Sequence, residues 1–183
     1  MERARAGDRE AFATLATEVY ARFHRVAYTI LRDRELALDA VQSAMLSAWR
    51  ELPRLRDVDR FEAWSYRLLV NACYAESRTR TRHRLPNLFR EPEERAAFDD
   101  IGAFADRDQL ERGFRELSVD QRAVVVLHHL ADQPLPRVAE ILGIPEGTAR
   151  SRLQRAMEAL RAALEADARR SGPTFSATME GMR

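Results

Sequence analysis

The side chains best suited to nucleic-acid chemistry lie together near the C-terminal end, within residues 134–156. Arginine and hydroxyl side chains are the groups that bind phosphates and the edges of bases. They recur here at helical spacing as Thr148, Arg150, Ser151, Arg152 and Arg155. At about 100° per residue, Thr148, Ser151 and Arg155 share one face, with Arg150 and Arg152 on its flanks. The spacing predicts that the central three meet base edges in a major groove, while the flanking arginines bind phosphates.

The surrounding pattern predicts two short helices joined by a tight turn. Val138, Ile141 and Leu142 have the spacing of a first buried helix. Gly143 stands where a left-handed terminating residue is expected, and Pro145 restarts the chain at a first helical turn. The second helix has an inward-facing stripe made of Ala149, Leu153, Ala156 and Leu160. These features favour a DNA-binding helix-turn-helix, and the alternative is an ordinary amphipathic helix with a solvated basic face.

The amino-acid composition limits the classes of protein to which this chain can belong. The chain has 183 residues, its 30 basic side chains are all arginine, and its net charge is +1. Cys73 is the only cysteine, which excludes an intrachain disulfide and a cysteine-rich zinc site. We expect a packed core thiol there, with redox sensing as the alternative. No apolar run approaches the roughly 20 residues that cross a bilayer, so we expect a cytoplasmic protein without membrane insertion.

The periodicity along the chain predicts an all-α fold of two small helical domains. Helices are expected over 11–31, 34–51 and about 60–80, and the apolar band of the second is wide enough for two packing partners. Ser118 followed by Gln121 has the spacing of a capping box that begins a later helix. The predicted organisation is a three- to four-helix bundle over 1–84, a flexible acidic linker over 85–108, a four-helix domain with the helix-turn-helix over 109–170 and a disordered tail over 171–183.

Catalytic and metal chemistry find little support in these residues. His128 and His129 are adjacent, so on a helix they point about 100° apart and cannot share a metal as an i, i+4 pair does. No glycine-rich phosphate loop is present. We therefore expect neither an enzyme, nor a cofactor, nor a metal site.

Two segments together resemble one family. RELSVDQRAVVVLHHLADQPLPRVAEILGIPEGTARSRLQRAMEALRAAL resembles region 4 of the extracytoplasmic-function (ECF) group of bacterial sigma factors, the promoter-recognition subunits of RNA polymerase. DRELALDAVQSAMLSAWREL, followed by RFEAWSYRLLVNACYAESRTR, resembles region 2 of the same group. The resemblance covers most of residues 10–165 and implies a non-enzymatic partner of core RNA polymerase and promoter DNA, with an anti-sigma protein as a plausible inhibitor.

In such sigma factors the second helix of region 2 docks on a coiled coil of the polymerase's largest subunit. The resemblance assigns this role to Leu38, Asp39, Val41, Gln42, Met45 and Trp49. Docking would explain the wide apolar band of this helix. The alternative is that Leu38, Met45 and Trp49 belong to the core.

The resemblance also places −10 recognition and melting in the loop after Pro53 and in the next helix. Capture of an unpaired base needs stacking surfaces and cations for the strand's backbone. The candidates are Arg54, Arg56, Arg60, Phe61, Trp64, Arg67, Asn71, Arg78 and Arg80. The spacing of Phe61 and Trp64 equals that of the buried stripe and favours a core position, so Arg60, Arg67 and Asn71 are the better candidates for DNA contact.

A second class of function stays open at this point. The same C-terminal helix-turn-helix could belong to a free-standing repressor or activator, with the N-terminal bundle as its dimerisation unit. That class predicts a stable dimer on a palindromic operator. A sigma factor is instead expected to be monomeric and to bind promoter DNA weakly without polymerase.

Overall fold

The computed structural model describes the backbone of residues 1–83 and 104–170 and the side chains of 1–80 and 110–166. Every regular element in these ranges is a helix, which confirms the predicted all-α fold. Most of the predicted linker over 85–108 and all of the predicted tail over 171–183 lie outside the described residues.

The N-terminal unit consists of α1 (Glu2–Arg5), α2 (Arg9–Leu31), α3 (Arg34–Glu51) and α4 (Phe61–His83). Two 3-10 turns, Leu52–Arg54 and Val58–Arg60, connect α3 to α4. Aspartate side chains begin the helices: Asp8 accepts hydrogen bonds from the backbone of Glu10 and Ala11, and Asp33 accepts one from Leu36. Such caps satisfy N–H groups that have no partner within the helix. They fix where α2 and α3 start, and both helices then pack against α4.

The C-terminal unit consists of α5 (Phe104–Glu116), α6 (Val119–Val125), α7 (Leu135–Leu142) and α8 (Glu146–Arg170). A π turn, Val126–Leu130, continues α6. The capping box is present, because Gln121 N–H donates to Ser118 Oγ at 3.2 Å and Ser118 N–H donates to Gln121 Oε1 at 2.9 Å. α5 begins five residues before the expected domain boundary at Gln109.

The turn between α7 and α8 has the expected geometry. Gly143 adopts a left-handed backbone with φ of 65°, which glycine reaches without steric cost. Its N–H donates to the carbonyl of Glu140, and the N–H of Ile144 donates to that of Ala139. The backbone of Thr148 and Ala149 then donates to the Pro145 carbonyl, which opens α8. The predicted helix-turn-helix is confirmed as a structural unit.

The two units pack against each other, which the sequence did not predict. α2 contacts α6 and the π turn, and α4 contacts α6 and α7. The buried residues of both units form one continuous cluster. Two ion pairs cross the junction: Arg32 lies 3.2 Å from Glu111, and Arg60 lies 2.5 Å from Glu140.

Candidate nucleic-acid and protein-binding surfaces

The second helix of the helix-turn-helix, α8, presents two exposed arginines to solvent. Ala149, Ala156 and Leu160 are buried and Leu153 packs against the core, so the predicted inward stripe is confirmed. Arg150 and Arg155 are exposed on the other side. Arg150 forms an ion pair with Glu146 at 2.7 Å, one turn earlier. An exposed pair of this kind contributes about 0.2–1 kcal/mol and yields readily to a phosphate.

The smaller polar residues of this face are partly buried. Thr148 and Ser151 are half-buried. The Ser151 hydroxyl donates to the Thr148 carbonyl at 3.1 Å, which leaves its oxygen free to accept. Thr148 and Ser151 therefore form a shallow polar strip on α8, beside the exposed cations of Arg150 and Arg155.

Arg152 lies on the other flank, toward the rest of the protein. Its guanidinium is 3.6 Å from the Asp120 carboxylate of α6, and 29% of its side chain is exposed. Tyr74 of α4 lies beside this pair, and burial raises the pKa of its hydroxyl, with Asp120 adding to the rise. Arg152 follows Ala149 by three residues and precedes Ala156 by four, so it borders the buried stripe. It would have to leave Asp120 to reach a phosphate.

The helix α3 has an exposed face of mixed apolar and polar character. Leu38, Asp39 and Gln42 are exposed, and Met45 is half-buried. Leu46, which the sequence reasoning missed, is 50% exposed. Its place eight residues after Leu38, with Gln42 between, was the signal that could have found it, because residues at i, i+4 and i+8 share a face.

Two residues assigned to the same surface have other surroundings. Val41 is completely buried, so its side chain belongs to the core of the bundle and not to the exposed face of α3. The ring of Trp49 is half-buried and meets that of Phe12 edge-on, with 5.0 Å between centroids. One part of the wide apolar band of α3 therefore packs into the bundle, and another part is exposed to solvent.

The predicted −10 residues divide into exposed polar side chains and a half-buried aromatic pair. Phe61 and Trp64 are half-buried, and their ring centroids lie 5.8 Å apart. The exposed members are Arg54, Arg56, Arg60, Arg67, Asn71 and Arg78. The five arginines place cations along the loop before α4 and the outer face of α4, and Asn71 adds a neutral amide on α4.

Arg60 and Arg80 each have a carboxylate partner. Glu140 of α7 accepts from Arg60 with one oxygen and from Arg137, at 3.0 Å, with the other. Arg80 donates to Asp33 at 2.8 Å, which ties α4 to the first turn of α3. Arg80 thus has a structural role in this arrangement, whereas Arg60 is held by the other unit.

An open cleft of about 560 Å³ separates the loop before α4 from the start of α7. One wall carries Asp57, Asp59 and Arg60, and the opposite wall carries Pro134, Pro136, Arg137 and Glu140. Both walls mix charges of both signs. The cleft is therefore an open gap between the two units, lined mostly by charged residues.

The described side chains do not support a reactive thiol or a metal site. Cys73 is buried, and burial raises the pKa of its thiol to about 12. No group of three potential metal ligands occurs in the parts of the chain that the structure describes. None of the described helices combines the length and apolar content needed to cross a membrane.

Comparison with known families assigns both units. Residues 15–83 match sigma-70 region 2, and residues 107–160 match sigma-70 region 4. These two regions, in this order, define a sigma-70-type transcription initiation factor.

Comparison with individual sigma factors identifies the group within this class to which the chain belongs. The chain is 35% identical over 158 residues to the ECF RNA polymerase sigma factor SigM of Mycobacterium tuberculosis, covering 82% of this chain and 76% of the relative. It is 28% identical over 178 residues to the RNA polymerase sigma-H factor of Pseudomonas aeruginosa, covering 90% and 92%. The chain belongs to the ECF RNA polymerase sigma factors. It is accordingly a DNA-binding initiation factor and not an enzyme.

Solved structures agree on the fold. The sigma factor RpoE of Bartonella quintana, in complex with the anti-sigma factor NepR, superposes with a TM-score of 0.71 at 24% identity, covering 86% of this chain and 99% of that chain. CnrH, in complex with the cytosolic domain of CnrY, superposes with a TM-score of 0.66 at 26% identity, covering 91% and 95%.

Proposed function

We propose that this sigma factor directs core RNA polymerase to promoters through three surfaces on separate helices. In this proposal α3 binds the polymerase, α4 with the loop before it reads and melts the −10 element, and α8 reads the −35 duplex. The observation that carries the proposal is the exposure of a basic face on α8 behind a left-handed Gly143 turn, on the same chain as an exposed apolar face on α3.

Recognition of the −35 element would use the strip on α8. We assign base contact to Thr148, Ser151 and Arg155, and phosphate contact to Arg150 and Arg152. Phosphate contacts position a helix on the duplex, whereas contacts to base edges select the sequence. Arg152 would contribute only after exchanging Asp120 for a phosphate, so we expect a smaller effect from it than from Arg150.

Opening of the −10 element would use the loop and the outer face of α4. Exposed arginines can follow the backbone of a single strand, and the Phe61–Trp64 pair offers a partly accessible surface on which an unpaired base can stack. We assign strand contact to Arg54, Arg56, Arg60, Arg67, Asn71 and Arg78. Arg80 would join them only if its bond to Asp33 opened.

The polymerase-binding surface would be the exposed face of α3, made of Leu38, Asp39, Gln42, Met45 and Leu46, with the edge of Trp49. An exposed apolar stripe with a polar margin is typical of a protein-binding site. The structurally similar sigma factor RpoE forms a complex with the anti-sigma factor NepR. We propose that an anti-sigma protein restrains this chain as well, and that the chain acts in the cytoplasm, where polymerase and promoters meet.

The test is in vitro transcription with purified core polymerase on a library of promoter fragments from the source genome. We expect transcripts that require this chain and disappear with the pair Arg150→Ala and Arg155→Ala. The matched control is Arg25→Ala, which removes an exposed arginine of α2. Absence of initiation from every fragment, together with tight binding of the free chain to a palindrome as a dimer, would favour the repressor class.

A further inference from the structure

The first helix, α1, packs against the 3-10 turn Leu52–Arg54, which leads into the loop proposed for −10 binding. We call residues 53–60 the −10 loop. Each of the two elements buries one residue: Ala4 of α1 is 1% exposed, and Leu52 of the turn is 0% exposed. Both residues lie outside the continuous apolar cluster of the main core. The contact between α1 and the turn is therefore a small apolar contact, distinct from the main core.

The −10 loop has little buried surface with which to hold its own shape. Every residue of the loop is exposed or half-buried, and Arg54 and Arg56 are exposed. The Leu55 N–H donates to the Leu52 carbonyl at 3.1 Å, which closes the first turn. A segment with few buried contacts has low local stability and depends on the anchoring of its ends. The position of Leu52 therefore determines where the arginines of the loop project.

Leu52 depends on both α3 and α1. Its N–H donates to the Ala48 carbonyl, so α3 fixes the backbone at the start of the turn. A leucine that follows the last residue of a helix stays buried only where another element covers its side chain, and α1 packs against this turn. Displacement of α1 would expose apolar surface of Leu52 and remove an anchor of the loop.

The connection between α1 and α2 holds α1 in place. Gly7 has φ of 90°, a backbone conformation that residues with a side chain rarely adopt. Asp8 joins the two helices through its two carboxylate oxygens. Oδ1 accepts from the N–H groups of Glu10 and Ala11 in α2, and Oδ2 accepts from Arg3 Nε of α1 at 2.9 Å. The same carboxylate thus caps α2 and binds α1.

We propose that α1 positions the −10 loop for capture of the single strand, with Ala4 and Leu52 as positioning residues that do not touch DNA. This inference rests on the proposed role of the loop in −10 binding. A loop that is ordered before binding loses less side-chain entropy on binding, so Arg54 and Arg56 bind the strand more tightly. Displacement of α1 should weaken −10 binding and leave −35 binding and polymerase binding unchanged.

Two substitutions displace α1 in different ways. Ala4→Glu places a charged side chain at the buried position. Gly7→Ala acts from the connection, because the added methyl group meets no atom within 4 Å and only strains the backbone. The second variant keeps the proposal testable where the first does not fold.

The chain offers two matched controls. Ala6→Glu adds the same charge as Ala4→Glu, but at an exposed position two residues later. Ala4→Ser keeps a small side chain at the buried position and should behave as the unsubstituted chain does.

The first measurement is the affinity of holoenzyme, assembled from each full-length variant and core polymerase, for a fluorescent single strand. The strand is taken from the −10 region of a promoter that this chain transcribes. Ordering a side chain on binding costs about two- to tenfold in affinity. Because two loop arginines are concerned, we expect about tenfold weaker binding with Ala4→Glu and with Gly7→Ala. Affinities for a −35 duplex and for core polymerase should be unchanged, and both controls should bind the strand normally.

Three results would overturn the proposal. The first is an unchanged −10 affinity in both Ala4→Glu and Gly7→Ala. The second is an equal loss of −10 and −35 affinity, which would show damage to the whole fold. The third is an equal loss in Ala4→Glu and Ala6→Glu, which would show an effect of charge alone.

Hydrogen exchange in the free chain reports the loop directly. The Leu55 amide is protected by its bond to the Leu52 carbonyl, so it should exchange faster in Ala4→Glu and Gly7→Ala than in the unsubstituted chain. The amide of Val26, which lies in the main core, is the internal reference and should not change. An unchanged rate at Leu55 in both variants would contradict the coupling between α1 and the loop.

Substitutions in the loop itself separate failure of this proposal from failure of the proposed function. Arg54→Ala and Arg56→Ala should each weaken binding of the −10 strand. Weaker binding in these two variants, with normal binding in Ala4→Glu and Gly7→Ala, would reject the role of α1 alone. Normal binding in the two loop variants would reject the role of the loop in −10 binding, and the role of α1 with it.

Discussion

Arg150 and Arg155 are both exposed on α8, yet among the described residues only Arg150 has a carboxylate partner, Glu146. We expect Arg155→Ala, and likewise Ser151→Ala, to relax base preference at the −35 element by about 1–3 kcal/mol of discrimination. Arg150→Ala should instead weaken binding to all sequences and lower the salt slope by about one. Anisotropy titrations of holoenzyme on matched and mismatched duplexes at several salt concentrations distinguish the two. Identical behaviour of the three variants would contradict the assignment of faces.

The Cys73 thiol is a buried core group, and we expect it to be unreactive in the folded chain. Its thiolate form reacts, and burial raises the pKa of the thiol from 9.0 to about 12, so it stays protonated at neutral pH. We expect no reaction with iodoacetamide at pH 8 until the protein is unfolded. Because the unfolded thiol ionises first, this group destabilises the fold as pH rises above about 9. Rapid labelling of the folded chain, with Cys73→Ala as the blank, would restore the redox alternative.

At the scale of the elements, the exposed face of α3 can be tested without disturbing its buried side. Asp39 and Gln42 are exposed, whereas Val41 between them is buried. Asp39→Arg with Gln42→Arg should weaken binding to core polymerase at least tenfold and leave the helical circular dichroism unchanged. Surface plasmon resonance with immobilised core enzyme measures this, and Glu18→Arg is the control. A loss of helicity would show that these residues serve the bundle.

The ends of most helices could be predicted because short-range chemistry determines them. Gly143 and the Ser118–Gln121 box act within one turn of their own helix, and both have the expected conformation. The extension of α5 back to Phe104 had no such signal. The π turn also escaped prediction, because residues 123–127 are all apolar and show no period in which an extra residue could be detected.

The surfaces were less predictable because a helical wheel gives a direction and not a partner. Arg152 points toward Asp120 of another helix, and only the folded chain brings that carboxylate near. A stronger signal was overlooked in α6 and its π turn, where residues 123–127 are apolar without interruption and all buried. A helix that is apolar on all sides must be surrounded. That run could have predicted the contact between the two units.

For the molecule as a whole, the continuous core predicts one unfolding event. Two domains that share buried surface unfold together when their contact contributes much of their stability. We expect a single calorimetric transition for the full chain. Glu111→Arg with Glu140→Arg should divide it into two, because each bundle then unfolds on its own. Two separate transitions in the unsubstituted chain would show that the units are energetically independent.

Arg32 has an unfavourable backbone conformation for its own helix, but its side chain contacts the other unit. It ends α2 in a left-handed backbone with φ of 58°, a conformation that glycine or asparagine adopts at lower cost. Glycine would make the first bundle sturdier in isolation but has no side chain that could reach Glu111. Replacing Arg32 by glycine would therefore favour the N-terminal bundle by itself and would remove one ion pair between the two units. The cost of a left-handed arginine at this helix end is thus coupled to a contact between the two units.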